Sequence, residues 1–215
     1  MIAVAFAVPR ESAAFRERAS ALDAGVLHTG IGGEIAGPWL EGWLRVERPE
    51  FVISSGFAGG LDPALEFGSI VAATNFSDAA LLRQARNRIP KCRSGDFVSA
   101  PAAVESVEEK RALHAKTGAI AVDMETESLA VVCAKFGVPM LALRVVSDDV
   151  RTALPLPLSV CFDLQKQRPR PLSILGVLTR EPGKIGPFVR FVRSTKTAGA
   201  ILADALAALL SGSDY

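Results

Sequence analysis

Three carboxylates stand where acid–base chemistry would be done. Glu11 follows the apolar run Met1–Val8 across Pro9 and Arg10. Glu125 lies in Val122-Asp123-Met124-Glu125-Thr126-Glu127, and Asp148 closes Arg144-Val-Val-Ser-Asp after an apolar stretch. Each comes just past a strand-like segment, the place where α/β sheets bind ligands. Only His28 and His114 are present, so a His-dependent triad has few candidates and proton transfer falls to carboxyl groups. Singly, each has an ordinary structural explanation: a helix-start carboxylate for Glu125, a cap for Asp148, the surface for Glu11. Three together at one edge of a sheet call for a function.

Strand-like and helix-like segments alternate, the pattern of an α/β chain with a largely buried sheet. The expected strands are Ile2–Val8, Gly25–His28, Phe51–Ser55, Ser69–Thr74, Gly118–Ala121 and Met140–Val146. The expected helices are Glu11–Ala21, Glu34–Val46, Pro101–Ala115, Glu125–Phe136 and Gly199–Leu210. From Glu125, apolar Leu129, Val132, Cys133 and Phe136 recur at helical spacing before Gly137 and Pro139 stop the run. In the last helix Ile201, Leu202, Leu206, Leu209 and Leu210 share one face. Ala153–Pro171 has no period and reads as a long surface loop. Leu172–Lys196 reads as an amphipathic helix, interrupted near Pro182 and Pro187. No repeat or linker divides residues 1–215, which are expected to form a single domain.

With 215 residues, 49% of them hydrophobic and 22% charged, the chain can bury one sizeable core and is not an intrinsically disordered sequence. No window approaches the 18–20 apolar residues of a membrane span. The N-terminal apolar run is short and lacks a preceding basic segment, so it reads as a strand and not a signal peptide. Cys92, Cys133 and Cys161 form no CxxC and no Cys/His cluster. Neither a disulfide framework nor a metal site is expected, and the default setting is cytoplasmic. The net charge is +1, although residues 151–215 carry nine Lys and Arg against four Asp and Glu. Those basic residues come without interleaved aromatics or a reader motif, so nucleic acid is not an expected partner.

Two glycine clusters, Gly30-Ile-Gly-Gly and Gly56-Phe-Ala-Gly-Gly, follow the second and third expected strands and read as tight turns. The first is half of a dinucleotide fingerprint, but Ile35 stands where Gly or Ala belongs and the cluster follows the wrong strand. No Walker A, HExxH, EF-hand or GxSxG sequence appears. No cofactor is expected.

In order, Gly56-Phe-Ala-Gly-Gly-Leu-Asp-Pro-Ala-Leu-Glu-Phe-Gly-Ser-Ile-Val, Ser94-Gly-Asp-Phe-Val, Ala121-Val-Asp-Met-Glu-Thr-Glu-Ser-Leu-Ala and Arg144-Val-Val-Ser-Asp resemble motifs of the purine nucleoside phosphorylase/nucleosidase superfamily. They are most similar to nucleosidases acting on methylthioadenosine and S-adenosylhomocysteine. Val-Asp-Met-Glu, Leu-Asp-Pro and the basic tail resemble in particular the hopanoid-associated branch, thought to remove adenine from adenosylhopane. The resemblance implies a three-layer α/β/α sandwich around a mixed, mostly parallel sheet. It also implies cleavage of the N-glycosidic bond of a purine nucleoside and a homodimer.

Residue by residue, it implies that Asp148, with Ser147 holding it, protonates the departing base from a partly desolvated carboxyl. Glu11 would direct the nucleophile. Glu125 would accept the ribose hydroxyls and Met124 would pack on the sugar. Phe97 would stack on the base, and the backbone near Val98 would read the purine edge. Phe57 and Gly59 belong to the glycine-rich element. The superfamily uses water or phosphate. Its phosphorylases carry Arg at the position of Glu11 and a phosphate-binding Ser at that of Phe57, so both residues favour water; Arg10, one residue away, keeps phosphate open. A non-catalytic nucleoside-binding protein on the same fold is a third reading, disfavoured because binding alone needs no proton donor. If the substrate is lipid-linked, the basic Leu172–Lys196 face is suited to an anionic membrane surface.

Overall fold

The computed structural model describes residues 1–211. In chain order the strands are β1 (Ile2–Phe6), β2 (Ala24–His28), β3 (Val52–Gly60), β4 (Ile70–Ala73), β5 (Arg93–Gly95), β6 (Phe97–Ser99), β7 (Ala121–Asp123) and β8 (Met140–Asp148), with a short hairpin β9 (Phe162–Asp163) and β10 (Arg168–Pro169). The helices are α1 (Pro9–Ala19), α2 (Gly33–Leu44), α3 (Ala79–Arg88), α4 (Val107–Thr117), α5 (Thr126–Phe136), α6 (Leu158–Cys161), α7 (Pro171–Arg180) and α8 (Ile185–Leu210).

The main sheet runs β2-β1-β3-β8-β4-β5, with β7 on the far end of β3 and β6 on β7. All its pairings are parallel except β4 with β8 and β3 with β7. Period-two alternation sends residues to two helical layers. Ile2, Val4, Phe6, Ile53, Leu141 and Leu143 pack with Phe15 of α1 and Leu202 and Leu206 of α8. Ala3, Ala5, Val52, Met140 and Ala142 pack on the other face, with Leu40 of α2 and Leu129 and Val132 of α5. The small alanines on that face let α2 and α5 lie close to the strands. This is the expected three-layer sandwich on a mixed, mostly parallel sheet.

Several local expectations change. The second glycine cluster is not a turn: it is the end of β3, which runs on to Gly60. Pro101–Ser106 is irregular, and α4 begins only after Ser106, whose hydroxyl caps it while Glu109 reaches back to the Ser106 N–H. The expected loop after Ala153 contains α6 and the β9–β10 hairpin. The basic segment breaks at Glu181–Lys184 but not at Pro187. Pro187 is the third residue of α8, where a missing N–H costs no helical bond, and the helix continues unbroken into the expected Gly199–Leu210 segment. The sequence reading also missed α3, β5 and β6. Among the described residues no helix is long and apolar enough to cross a membrane.

Candidate active site

The strand ends of β3, β7 and β8, the start of α1 and the loop before α5 enclose a cavity of about 200 Å³, and Glu11, Glu125 and Asp148 all line it. Met124, Ser147, Phe57 and Gly59 line it as well. Seven of the nine residues singled out in the sequence therefore meet in one cleft.

Asp148 owes its place to an irregularity. β3 and β8 stay in register from Val52↔Met140 to Ala58↔Val146, and then Gly59 pairs with Asp148, leaving Ser147 as an extra residue on β8. A bulge of this kind re-aims side chains beside a site. Here it lets the Ser147 hydroxyl donate to Asp148 Oδ1 at 2.6 Å, while Asp148 stays 8% exposed.

Glu11 sits in the first turn of α1 and points back along the chain. Its Oε2 accepts from the N–H groups of Ala7 (3.0 Å) and Val8 (3.3 Å), and its Oε1 from that of Phe57 (3.1 Å). Gly56 makes this approach possible: at φ +151° a Cβ there would lie 3.0 Å from Glu11 Oε1. Burial pushes the Glu11 pKa up, opposed by the Phe57 N–H and by the Arg144 charge. Glu125, just before α5, accepts from the Gly32 N–H at 2.7 Å. Gly32 sits at φ +92° as the cap of α2, which turns its N–H toward the carboxylate. Burial and then the neighbouring Asp123 charge push Glu125 to about 7, with the Gly32 N–H pulling the other way. The loop that carries Gly32 is braced by the β9–β10 hairpin, whose Gln167 exchanges hydrogen bonds with both backbone groups of Ile31 (2.8 and 3.1 Å).

Phe97 and Val98 stand apart from the other seven. Neither lines the cleft. Alternation along β6 turns Phe97 into the core beside Ala121 and Leu129, at 2% exposure, and turns Val98 onto a separate cluster with Leu61, Ala119 and Val122. The apolar lining of the cleft includes Val104 and Val122, and Leu154, Leu158 and the α8 residue Phe191. The position of Arg10 is also resolved: its guanidinium bonds Thr195 Oγ1 (2.8 Å) and the Val192 carbonyl (3.3 Å) on α8, and the cleft is lined by Glu11 alone of the two.

Comparison with known proteins gives this geometry a context. The sequence profile of the phosphorylase superfamily matches residues 72–160. A 5′-methylthioadenosine/S-adenosylhomocysteine nucleosidase of Marinomonas sp. is 31% identical over 162 residues, covering 59% of this chain and 68% of that protein. The chain belongs to the phosphorylase superfamily. Solved members share its fold across nearly the whole length. The Neisseria meningitidis 5′-methylthioadenosine/S-adenosylhomocysteine nucleosidase, in complex with methylthio-immucillin-A, superposes with a TM-score of 0.72 at 20% identity and 99% coverage of both chains. A futalosine hydrolase of Helicobacter pylori gives 0.72 at 18% identity and 98% coverage of both.

In this superfamily member two charged residues that sequence reasoning passed over lie beneath the cleft. Arg144 pairs with Asp123 at 2.8 Å, both nearly inaccessible, and donates to Ser54 Oγ (2.9 Å) and Thr126 Oγ1 (2.8 Å). The pair stitches β8 to β7 and to the start of α5, which fixes the Met124–Glu125 loop. Lys110 of α4 is wholly buried and ion-paired to Asp148. Its one sign in the sequence is a lysine directly after the Ser106-x-x-Glu109 box, at the helix end whose dipole disfavours a cation. Asp148 is thus not merely desolvated, as the sequence suggested, but held by a cation. Among the described residues no group of three or more His, Cys, Asp and Glu could hold a metal ion.

Proposed function

We propose that the protein is a purine nucleosidase that hydrolyses the N-glycosidic bond of an adenine nucleoside. The observation that carries this reading is the convergence of Glu11, Glu125 and Asp148 on one cavity. Glycosidic cleavage builds positive charge on the sugar and negative charge on the departing base. Asp148, steadied by Ser147, delivers a proton to the purine N7, so the base leaves neutral. Glu125 accepts the sugar hydroxyls, with Met124 against the ring, and Glu11 takes the proton of the attacking water. Val104, Val122 and Phe191 supply the apolar surface for the base, in place of Phe97.

Water is favoured over phosphate on electrostatic grounds. A phosphate dianion needs cationic, fork-shaped donors. Among the described residues neither Lys nor Arg lines the main cleft, Arg10 is engaged on α8, and Arg144, beside the smaller cavity next to Glu11, is already paired to Asp123 and bonded to Ser54 and Thr126. Beside Glu11 lies a cavity of about 10 Å³ bounded by Ser55, Glu125 and Arg144, the scale of one water. Ser55 Oγ has no hydrogen-bond partner among the described residues.

An adjoining cleft of about 410 Å³ shares Ile31 and Met124 with the site and gives room for a group on the sugar's 5′ carbon. A lipid-linked, adenosylhopane-like substrate is the second reading. It is favoured by one feature: Leu172 (83% exposed), Leu175, Ile185 and Val189 stand out on α7 and α8 among Arg168, Arg170, Arg180 and Arg190, a surface suited to weak contact with an anionic membrane. Ile35, Trp39 and Val131, exposed on α2 and α5, suit a homodimer. The proposed setting is cytoplasmic, and residues 1–215 act as one domain.

Incubation with adenine nucleosides bearing small, thioether or long apolar 5′ groups, with and without phosphate, tests the reading. Free adenine and free sugar are expected regardless of phosphate. Ribose-1-phosphate appearing only with phosphate would make the protein a phosphorylase, and no cleavage of any nucleoside would make it a binding protein.

A further inference from the structure

Among the described charged side chains, only Lys110 has no exposure at all. Its ammonium donates to Asp148 Oδ2, to the Asp149 carbonyl at 3.0 Å and to the Thr152 carbonyl at 2.7 Å. Three acceptors match the three N–H bonds of an ammonium, the ordinary charged form of lysine. Asp148 therefore faces Lys110 as a carboxylate. This creates a chemical problem for the reaction proposed above, because a carboxylate has no proton to give a departing base.

We propose that Lys110 is a positioning residue that both holds the Asp148 carboxyl toward the cleft and stores the proton it delivers. The inference rests on the nucleosidase reading. As the bond between the sugar's anomeric carbon and N9 breaks, its electron pair moves onto the purine. A proton passes from Lys110 Nζ to the Asp148 carboxylate, and the carboxyl gives a proton to N7. Water adds to the anomeric carbon and loses its proton to Glu11. Lys110, left as an amine, is reprotonated from solvent after the base departs, and Glu11 releases its proton.

The surroundings allow the pair to act as a unit. Asp149 turns its carboxylate to Arg151 (2.9 Å) and to the Thr152 hydroxyl (2.7 Å). Glu105 binds the Leu158 N–H (2.7 Å), Glu109 is engaged by its own helix cap, and Glu11 and Glu125 line the cleft shared with Asp148. No second cation is paired to Asp148 among the described residues.

The test compares Lys110→Met and Lys110→Gln with the unmodified enzyme on two substrates, an adenine nucleoside and 4-nitrophenyl riboside, whose leaving group departs without protonation. At pH 8 the variants are expected to lose about 10²–10³-fold in kcat on the nucleoside and to stay within a few-fold on the aryl riboside. The loss on the nucleoside is expected to shrink as the pH is lowered. Equal losses on both substrates, or no loss on either, would overturn the proposal. Should neither variant fold, the unmodified enzyme still decides: its kcat for the nucleoside must show an alkaline limb that its kcat for the aryl riboside lacks, and matching profiles would reject the proposal. Failure of the unmodified enzyme on the nucleoside would instead reject the nucleosidase reading.

Discussion

Asp148→Asn is expected to lower kcat on an adenine nucleoside by about 10²–10⁴-fold, equivalent to ~3–5.5 kcal/mol of transition-state stabilisation. The amide keeps the shape, and with its oxygen toward Lys110 its NH2 can donate to the Ser147 hydroxyl, but it has no acidic proton to pass to the base. The structure adds a second consequence that the sequence did not disclose. Lys110 would lose its anionic partner inside the protein, and breaking a buried pair costs about 3–5 kcal/mol. The amide oxygen still accepts one bond from the ammonium, which keeps the loss near the lower figure. For a chain of this size each kcal/mol moves the melting temperature by roughly 2–4 °C, so the variant is expected to melt some 6–12 °C early. Turnover measured well below that transition, with circular dichroism to report the folded fraction, separates the two effects. Near-normal kcat in the folded variant would remove Asp148 from the chemistry.

The second large effect is on pH dependence, and here activity and stability move in opposite directions. Glu125 is pushed up to about 7 by burial, and Glu11 is shifted upward by the same cause. Both must be carboxylates to accept protons or hydroxyl donors. Between pH 5 and 7, kcat/KM is therefore expected to rise about 50-fold from the ionisation of Glu125 alone. Stability behaves otherwise. The folded state binds the Glu125 proton more tightly than the unfolded chain, whose carboxyl titrates near 4.5. The stabilisation from this group is complete below that value and is lost as the pH rises through about 7. Urea midpoints should fall over the same interval in which kcat/KM climbs. A kcat/KM that is flat from pH 5 to 8 would show that neither glutamate must ionise for the reaction.

What could be read from the sequence depended on whether a signal was local. α5 was legible because Leu129, Val132 and Cys133 keep helical spacing and all three are buried, with Gly137 ending the helix at φ +66°. α3 was not, because only Ala85 of its ten residues is buried; its clue was Asp78, whose carboxylate caps Ala80 and Leu81. β5 and β6, three residues each, are too short to display alternation.

The candidate site was legible as a set of carboxylates and illegible in its supports. Glu11, Glu125 and Asp148 are spread over 137 positions, yet each closes or follows a strand whose order along the sheet brings it to the same edge. The type of Phe97 fits a base-stacking role, but its side of the strand, fixed by pairing with Ala121, is toward the core. The glycines of β3 were read as a turn because glycine usually signals one. Their actual service is to let a carboxylate and a neighbouring strand come close to the backbone. Lys110 and Arg144 act through contacts 38 and 21 positions away, with Asp148 and Asp123 respectively, and such pairings leave no trace in local spacing.

Proton delivery to N7 is the step in the proposed hydrolysis on which the roles of Asp148 and Lys110 depend. Its most direct test is the turnover of an adenine nucleoside beside its 7-deaza analogue, which has the same shape but a carbon in place of the nitrogen to be protonated. The expected result is that both bind with similar affinity while only the parent releases its base. Cleavage of the two at comparable rates would contradict the role given to Asp148 and to the lysine behind it.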